Sequence, residues 1–288
     1  GAVKEIEECI GDGGVVVDRP DLLQELWTDR PQIPVTPVTT LDVENFGGIP
    51  RLDKISWLRK WMLVNGYDKV LLSSLDEIAW MLNVRGSDID YNPLVISYLL
   101  VSQDYVKWFV RKSVSDSELD PDTVDSFNEL KMDGVDVEDY DAVFFALSDF
   151  GDDETSGSIF VDPSTLNSNI YKYICDSFAP ESIIFGTSPV IHEKAVKTPS
   201  EIESFRQAYL EDGVAMTKFL YWLETEVASG REITEWDASQ KLTAFRAEIP
   251  GYRGNSFENI SAYGPDAALP HYSTPSEGSA VIRSHGLY

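Results

Sequence analysis

The sequence predicts an α/β fold over its central part, and two observations carry that expectation. Strand and helix signals alternate: the helical spacing of Ile55, Leu58, Met62 and Leu63 precedes a short apolar run at Lys69–Ser73, and a helical segment follows at Leu75–Leu82. Such alternation builds a layered sheet, not a bundle. The pattern then changes at Lys197-Thr198-Pro199-Ser200-Glu201, where a capping residue, a proline and an acid open a long helix.

Taken in order, residues 1–26 read as a short amphipathic stretch, a glycine-rich turn at Gly11–Gly14 and a possible strand at Val15–Val17. Trp27–Pro50 is rich in Pro and Gly and lacks helical periodicity, which marks an extended connector. Val95–Val101 and Tyr105–Val110 read as consecutive strands joined at Ser102-Gln103-Asp104. A helix opens at Pro121, and Tyr140–Leu147 is a further apolar segment. Ser158–Val161 and Ser182–Phe185 read as strands on either side of a helix over about 164–177. The helix that starts at Pro199 takes its apolar positions from Ile202, Phe205, Tyr209, Val214, Met216, Phe219, Leu220 and Leu223, and ends near Gly230. A second helix runs over Thr234–Glu248, and Phe257–Tyr263 reads as a partly buried strand. The acidic clusters at 115–125, 133–141 and 149–154 read as solvated loops and helix faces. The expected organisation is 1–45 as the tail of a preceding domain and a linker, 46–195 as an α/β domain, and 196–288 as the first part of another domain.

Composition narrows the function. Hydrophobic residues make up 43% of the chain, enough for a real core. The 49 acidic against 23 basic residues give a formal charge of -26. That field disfavours nucleic acid, whose phosphates are held by clustered Lys and Arg, and it repels an anionic membrane surface. Cys9 and Cys175 form no metal-type spacing, and no apolar run approaches the roughly 20 residues that span a bilayer. A cytosolic protein is expected. Gly1 in place of Met points to an internal boundary or a cleavage remnant.

Three histidines limit the available chemistry. His192 sits in HEKAV, a near miss for the HExxH zinc helix because Val196 replaces the second histidine, so it reads as a linker residue. Asp141 and Asp152 stand eleven apart, a spacing used by bridging carboxylates in dimetal sites. With only Asp149 between them as a further ligand, chance in an Asp-rich chain accounts for it. Asp88-Ile89-Asp90 lacks the glycine and glutamate of a calcium loop. His271 differs, because in SAYGPDAALPHY the Gly264-Pro265 break and Pro270 constrain its approach. Taken by itself, such a loop histidine is either a structural hydrogen-bonding residue or one presented to a cleft as a donor or proton carrier.

Three segments resemble the aminopeptidase P family (Xaa-Pro aminopeptidase, peptidase family M24) in its larger three-domain form. They are Glu25-Leu-Trp-Thr-Asp-Arg-Pro31; Ser74 to Asp88, SLDEIAWMLNVRGSD, with Asn92-Pro93; and Lys197–Glu224 together with Asn255–Tyr272. Their order and spacing agree with the family across essentially the whole chain. The resemblance implies a creatinase N-terminal-like α/β domain followed by the start of a pita-bread catalytic domain. It also implies a homodimeric dimanganese peptidase that releases the residue preceding proline from peptides with proline at the second position. By matching GPxxAxxHY, His271 takes the role of a histidine that contacts the substrate and stabilises the intermediate. The family's first metal-binding aspartates lie in a DSGxxYxxGTTD-like segment after this histidine, beyond Tyr288. Residues 1–288 are therefore expected to hold no metal and to be inactive alone, as a piece truncated at both ends.

His285 is expected to be a surface residue, and Arg85 and Asp88 to fix a turn and an interdomain contact. A non-catalytic creatinase-like binding module, which makes protein–protein contacts and has lost its metals, is the alternative from another class. Creatinase or prolidase activity is a further alternative within the superfamily.

Overall fold

The computed structural model describes residues 6, 9–17, 19, 21–23, 25–46, 48–111, 120–151 and 157–288. Two compact units emerge, Gly1–Lys197 and Thr198–Tyr288. Asp152, with parts of the acidic stretches at 115–125 and 149–154, lies outside the described residues.

The first unit is built on a six-stranded mixed sheet. Its strands are β2 (Lys69–Leu72), β4 (Ser97–Ser102), β5 (Val106–Val110), β6 (Val135–Asp139), β7 (Ile159–Val161) and β8 (Ile183–Phe185), in the order β6-β5-β4-β2-β7-β8. β4 runs antiparallel to both β2 and β5, while β2–β7, β7–β8 and β5–β6 pair in parallel. Every residue of β2 and β4 is buried, as a sheet covered on both faces requires.

Side chains alternate across a strand, so these apolar runs divide between two cores. Val70, Leu72, Leu99, Val101 and Trp108 face a layer built by α2 (Arg51–Asn65), α3 (Leu75–Leu82) and α4 (Pro121–Met132), through Leu58, Met62, Met81 and Leu130. Leu71, Tyr98, Leu100 and Phe109 face the opposite layer of α5 (Ala142–Gly151) and α6 (Ser168–Ser177), through Val143, Leu147, Ile170 and Ile174.

Local chemistry sets the helix ends. Gly66, at φ 73°, closes α2 by returning its N–H to the carbonyls of Leu63 and Met62. Asp120 accepts from the N–H groups of Asp122 and Thr123 ahead of Pro121. Asn167 caps α6, which is why that helix begins later than its apolar spacing suggests.

Several expectations are corrected. The stretch 27–50, expected as an extended connector, is anchored on the first unit along its second half. Val38 is buried, its N–H donates to Thr123 Oγ1 at 2.9 Å, β1 (Thr39–Thr40) pairs with β3 (Val84–Arg85), and a short helix α1 (Val43–Phe46) follows. Val15–Val17 is exposed and forms no strand.

The acidic segment around 135–139 is a strand, because Val135 and Val137 alternate inward while their acidic neighbours face outward on a sheet edge. Tyr140–Leu147 contributes to a helix. His192 lies, exposed, in a short helix α7 (Pro189–Ala195) capped by Ser188.

The second unit pairs α8 (Pro199–Ala228) with α9 (Glu235–Ala247) over a core of Phe219, Leu223, Ile233, Ala238 and Ile282. Both helices open with capping boxes, Thr198/Glu201 and Thr234/Asp237. β9 (Ile233–Thr234) pairs antiparallel with β10 (Val281–Ile282).

Two more expectations change here. Along α8 only Ala215, Phe219 and Leu223 are buried, while Phe205, Tyr209, Val214 and Leu220 are exposed. A helix of this length spans about 45 Å, more than so small a core can cover. Phe257–Tyr263 is not a strand: Phe257 and Ile260 are exposed, and Ser261 N bonds the Thr274 hydroxyl in place of a strand partner.

Leu99→Ala at the centre of β4 removes a fully buried side chain facing the first core. A loss of about 2–5 kcal/mol is expected, measured as a lowered urea midpoint by tryptophan fluorescence.

Candidate functional site

The loop that carries His271 is held by one buried side chain. Glu235, the first residue of α9, is fully buried. Its Oε1 accepts from the Tyr263 N–H at 2.6 Å. Its Oε2 accepts from the Tyr272 hydroxyl at 2.7 Å and from the Ala280 N–H at 3.2 Å. The backbone of Glu235 joins the same knot: its carbonyl accepts from the Ser261 hydroxyl at 2.6 Å, and its N–H donates to Ala280 O at 3.0 Å. The hydrogen bond to Glu235 pushes the Tyr272 phenol above its ordinary value.

Between Tyr263 and Tyr272 the chain makes a 3-10 turn at Gly264–Ala268, with Gly264 at φ 61°, and then presents His271 exposed. Ser261 N donates to Thr274 Oγ1 and Thr274 Oγ1 donates to Ser261 O, both at 3.0 Å. These two bonds close the base of the loop.

Nearby in sequence, Arg246 forks onto Asp212, with Nε to Oδ1 at 2.6 Å and Nη2 to Oδ2 at 3.2 Å, and its Nη1 reaches Asn259 Oδ1 at 3.3 Å. Asn259 in turn donates to Ser239 O and Thr243 Oγ1. Arg246, Asp212, Asn259 and Ser239, with Tyr252, Phe257 and Tyr288, line a cleft of about 770 Å³. His271 is not part of that lining.

The first unit holds its own polar cluster. The side chain of Glu77 is buried and accepts from the Ser188 hydroxyl at 2.5 Å, while Ser188 N–H donates to Asp162 Oδ2 at 2.8 Å. Lys194 pairs with Asp76 alongside. Burial pushes the Glu77 carboxyl up and its acidic neighbours Asp76 and Asp162 add to this, against the Ser188 bond. Burial also works on Asp162, but donors from Ser164 and Ser188 outweigh it and hold that carboxyl below its ordinary value.

The remaining sequence candidates separate. Arg85 Nη1 donates to its own chain, at Val84 O and Ala79 O, and Asp88 accepts from Thr36 N, Thr36 Oγ1 and Ile96 N. Arg85 ties a local turn, whereas Asp88 joins the distant segment at Thr36 to Ile96. His285 is exposed, and its carbonyl accepts from the Tyr263 hydroxyl. Asp141 is exposed and its N–H donates to Asp139. Cys9 and Cys175 are exposed free thiols. No group of three or more His, Cys, Asp or Glu able to hold a metal ion occurs among the described residues, so these residues do not fit a metal centre. None of the helices among the described residues is long and apolar enough to cross a membrane.

Sequence reasoning missed Glu235. In Thr234-Glu-Trp-Asp237 it reads as one more acid in a first helical turn, where acids are ordinary. Its partners lie 28, 37 and 45 residues downstream, beyond the reach of any local pattern.

A mixed sheet covered by helices on both faces, followed by a helix pair whose second helix anchors a Gly-Pro loop through Glu235, defines a two-part architecture shared with known proteins. Residues 29–201 match the creatinase/prolidase N-terminal domain and residues 203–288 match metallopeptidase family M24. The chain belongs to the creatinase/prolidase N-terminal domain family. It is similar to a probable Xaa-Pro aminopeptidase P of Laccaria bicolor, at 32% identity over 94% of this chain and 40% of the relative. Among solved structures it is similar to an X-prolyl aminopeptidase of Caenorhabditis elegans, described as a cytosolic enzyme with a di-nuclear active site. That match has a TM-score of 0.82 at 32% identity and covers 93% of this chain and 42% of the other. An Xaa-Pro dipeptidase from Bacillus anthracis shares the fold, with a TM-score of 0.56 at 18% identity over 81% of this chain and 58% of that one. The chain spans about two fifths of the length of the aminopeptidases it matches.

The raised Glu77 carboxyl gives a signed pH dependence. A carboxyl raised in the fold stabilises below its ordinary value of 4.5, and that contribution is lost as pH rises through the folded-state value. Glu77→Gln is therefore expected to gain melting temperature over the parent chain as pH rises from 4 to 7. About 2–4 °C is expected for each 1 kcal/mol relieved, read by differential scanning calorimetry.

Proposed function

We propose that this chain acts as part of a metal-dependent Xaa-Pro aminopeptidase, which releases the N-terminal residue preceding proline from peptides with proline at the second position. The observation that carries the reading is the joint likeness of both units, in one continuous order, to an X-prolyl aminopeptidase, with Gly264–His271 supplying GPDAALPH. In this reading the domains divide as 1–45, 46–195 and 196–288. Two manganese ions, a homodimeric assembly and a cytoplasmic location belong to the same proposal. The di-nuclear site and cytosolic description of the Caenorhabditis elegans relative support the metals and the location.

Within this chain the chemistry reduces to binding and orientation. His271 donates a hydrogen bond to the substrate and to the charge that develops on the scissile carbonyl, a role that needs a fixed donor more than a titrating one. The Gly264 turn and Pro270 restrict its backbone, and its exposure leaves the imidazole free to meet a peptide.

Purified residues 1–288, incubated with an Xaa-Pro peptide and manganese, are expected to release no N-terminal residue. Metal-dependent turnover by this polypeptide overturns that expectation. In the peptidase that contains this chain, His271→Gln is expected to lower kcat by about 10²–10³-fold, the usual effect of losing one donor to a developing oxyanion. An unchanged kcat removes the histidine from the reaction.

A further inference from the structure

We propose that Glu235 is a positioning residue for His271, anchoring both ends of the loop 264–271 through one buried carboxylate. The proposal rests on the reading of His271 as a substrate-contacting group and names what holds that group in place.

The loop leaves the second unit at Tyr263 and returns at Tyr272, and these two residues bond separate oxygens of Glu235, the backbone N–H of Tyr263 at 2.6 Å and the hydroxyl of Tyr272 at 2.7 Å. His271 is the residue next to Tyr272, so the Tyr272 anchor fixes the peptide from which the imidazole projects. The third donor, Ala280 N–H at 3.2 Å, ties the residue just before β10 to the same oxygen as Tyr272. Glu235 is itself immobilised. It is fully buried at the first turn of a capped helix, and its own N–H and carbonyl are both engaged.

Burial matters to the role. A carboxylate in water exchanges its donors freely, whereas a buried one deprived of a donor is left with an unsatisfied oxygen, so each bond is expensive to break. Neither a capping function nor packing requires this arrangement. Thr234 and Asp237 already form the capping box of α9, and Glu235 meets its three donors away from it.

The test uses isotopically labelled residues 1–288 and follows the imidazole Cε1–H correlations of the three histidines by NMR, with hydrogen exchange of residues 264–272. His192, in the other unit, serves as internal control. Tyr272→Phe removes one anchor from a half-buried side chain. Glu235→Gln keeps the volume and an acceptor for Tyr263 but replaces the acceptor facing Tyr272 and Ala280 with a donor. Both variants are expected to shift or broaden the His271 signal and leave His192 unmoved. Exchange in the loop is expected to quicken roughly two- to tenfold, the effect of losing one net hydrogen bond.

An unchanged His271 signal with unchanged loop exchange in folded Tyr272→Phe overturns the proposal. If Glu235→Gln does not fold, Tyr272→Phe alone decides. The readouts need no activity, so failure here is separate from failure of the catalytic reading, which the kcat of His271→Gln reports.

Discussion

A carboxylate or hydroxyl taken out of water must be supplied with hydrogen-bond partners, and this constraint shapes both units. In the second unit Glu235 satisfies it by drawing three chain segments onto two oxygens. In the first, Asp88 gathers Thr36 and Ile96, and Arg51, nearly fully buried, is met by Glu129 at 2.6 Å and Asp133 at 3.0 Å. Losing one partner strands the other in a medium that solvates it poorly. Each knot therefore behaves as an all-or-none tie between segments distant in sequence. The apolar layers supply the bulk of the stabilisation, while these ties select which loops lie beside which helices.

The two units use the constraint differently. The sheet unit satisfies its backbone polarity through a continuous ladder, and it places buried polar side chains such as Ser188, at the start of α7, and Asp162, just past β7, at element ends. The helical unit has only a two-residue strand pair beyond its helices. Its segments 257–263 and 270–280 obtain backbone partners from side chains: Glu235 accepts from the N–H groups of Tyr263 and Ala280, and Thr274 accepts from the Ser261 N–H. A segment held by side chains in place of a ladder can present a residue such as His271 at an angle that a strand would not allow. The same division holds for the acids: among the described residues the buried ones, Glu77, Asp88, Asp162 and Glu235, all accept hydrogen bonds.

The proposed peptidase role draws its force from continuity, because one chain carries both the creatinase-type sheet unit and the M24 segment in a fixed order. Within the second unit, the cleft beside Arg246 reaches Ser261 at the base of the loop but is not lined by His271.

Periodicity and punctuation alone determined much of the fold. The spacing of Leu58 and Met62, the short runs at β2 and β7, Pro121, and the Thr198-Pro199 start are local signals, and local signals survive without tertiary context. The motif around His271 was legible for the same reason, its residues being contiguous. Tertiary structure alone decided the rest. Val135–Asp139 became a strand because β5 offered an edge to pair with, although its acids suggested a solvated loop. Phe257–Tyr263 stayed unpaired because a side chain, Thr274 Oγ1, took the place of a neighbouring strand. Glu235 looked like an ordinary helix-start acid until folding brought Tyr263, Tyr272 and Ala280 around it. Hydrogen bonds closed over 28 to 45 residues leave no periodic trace in a sequence, because nothing local requires them.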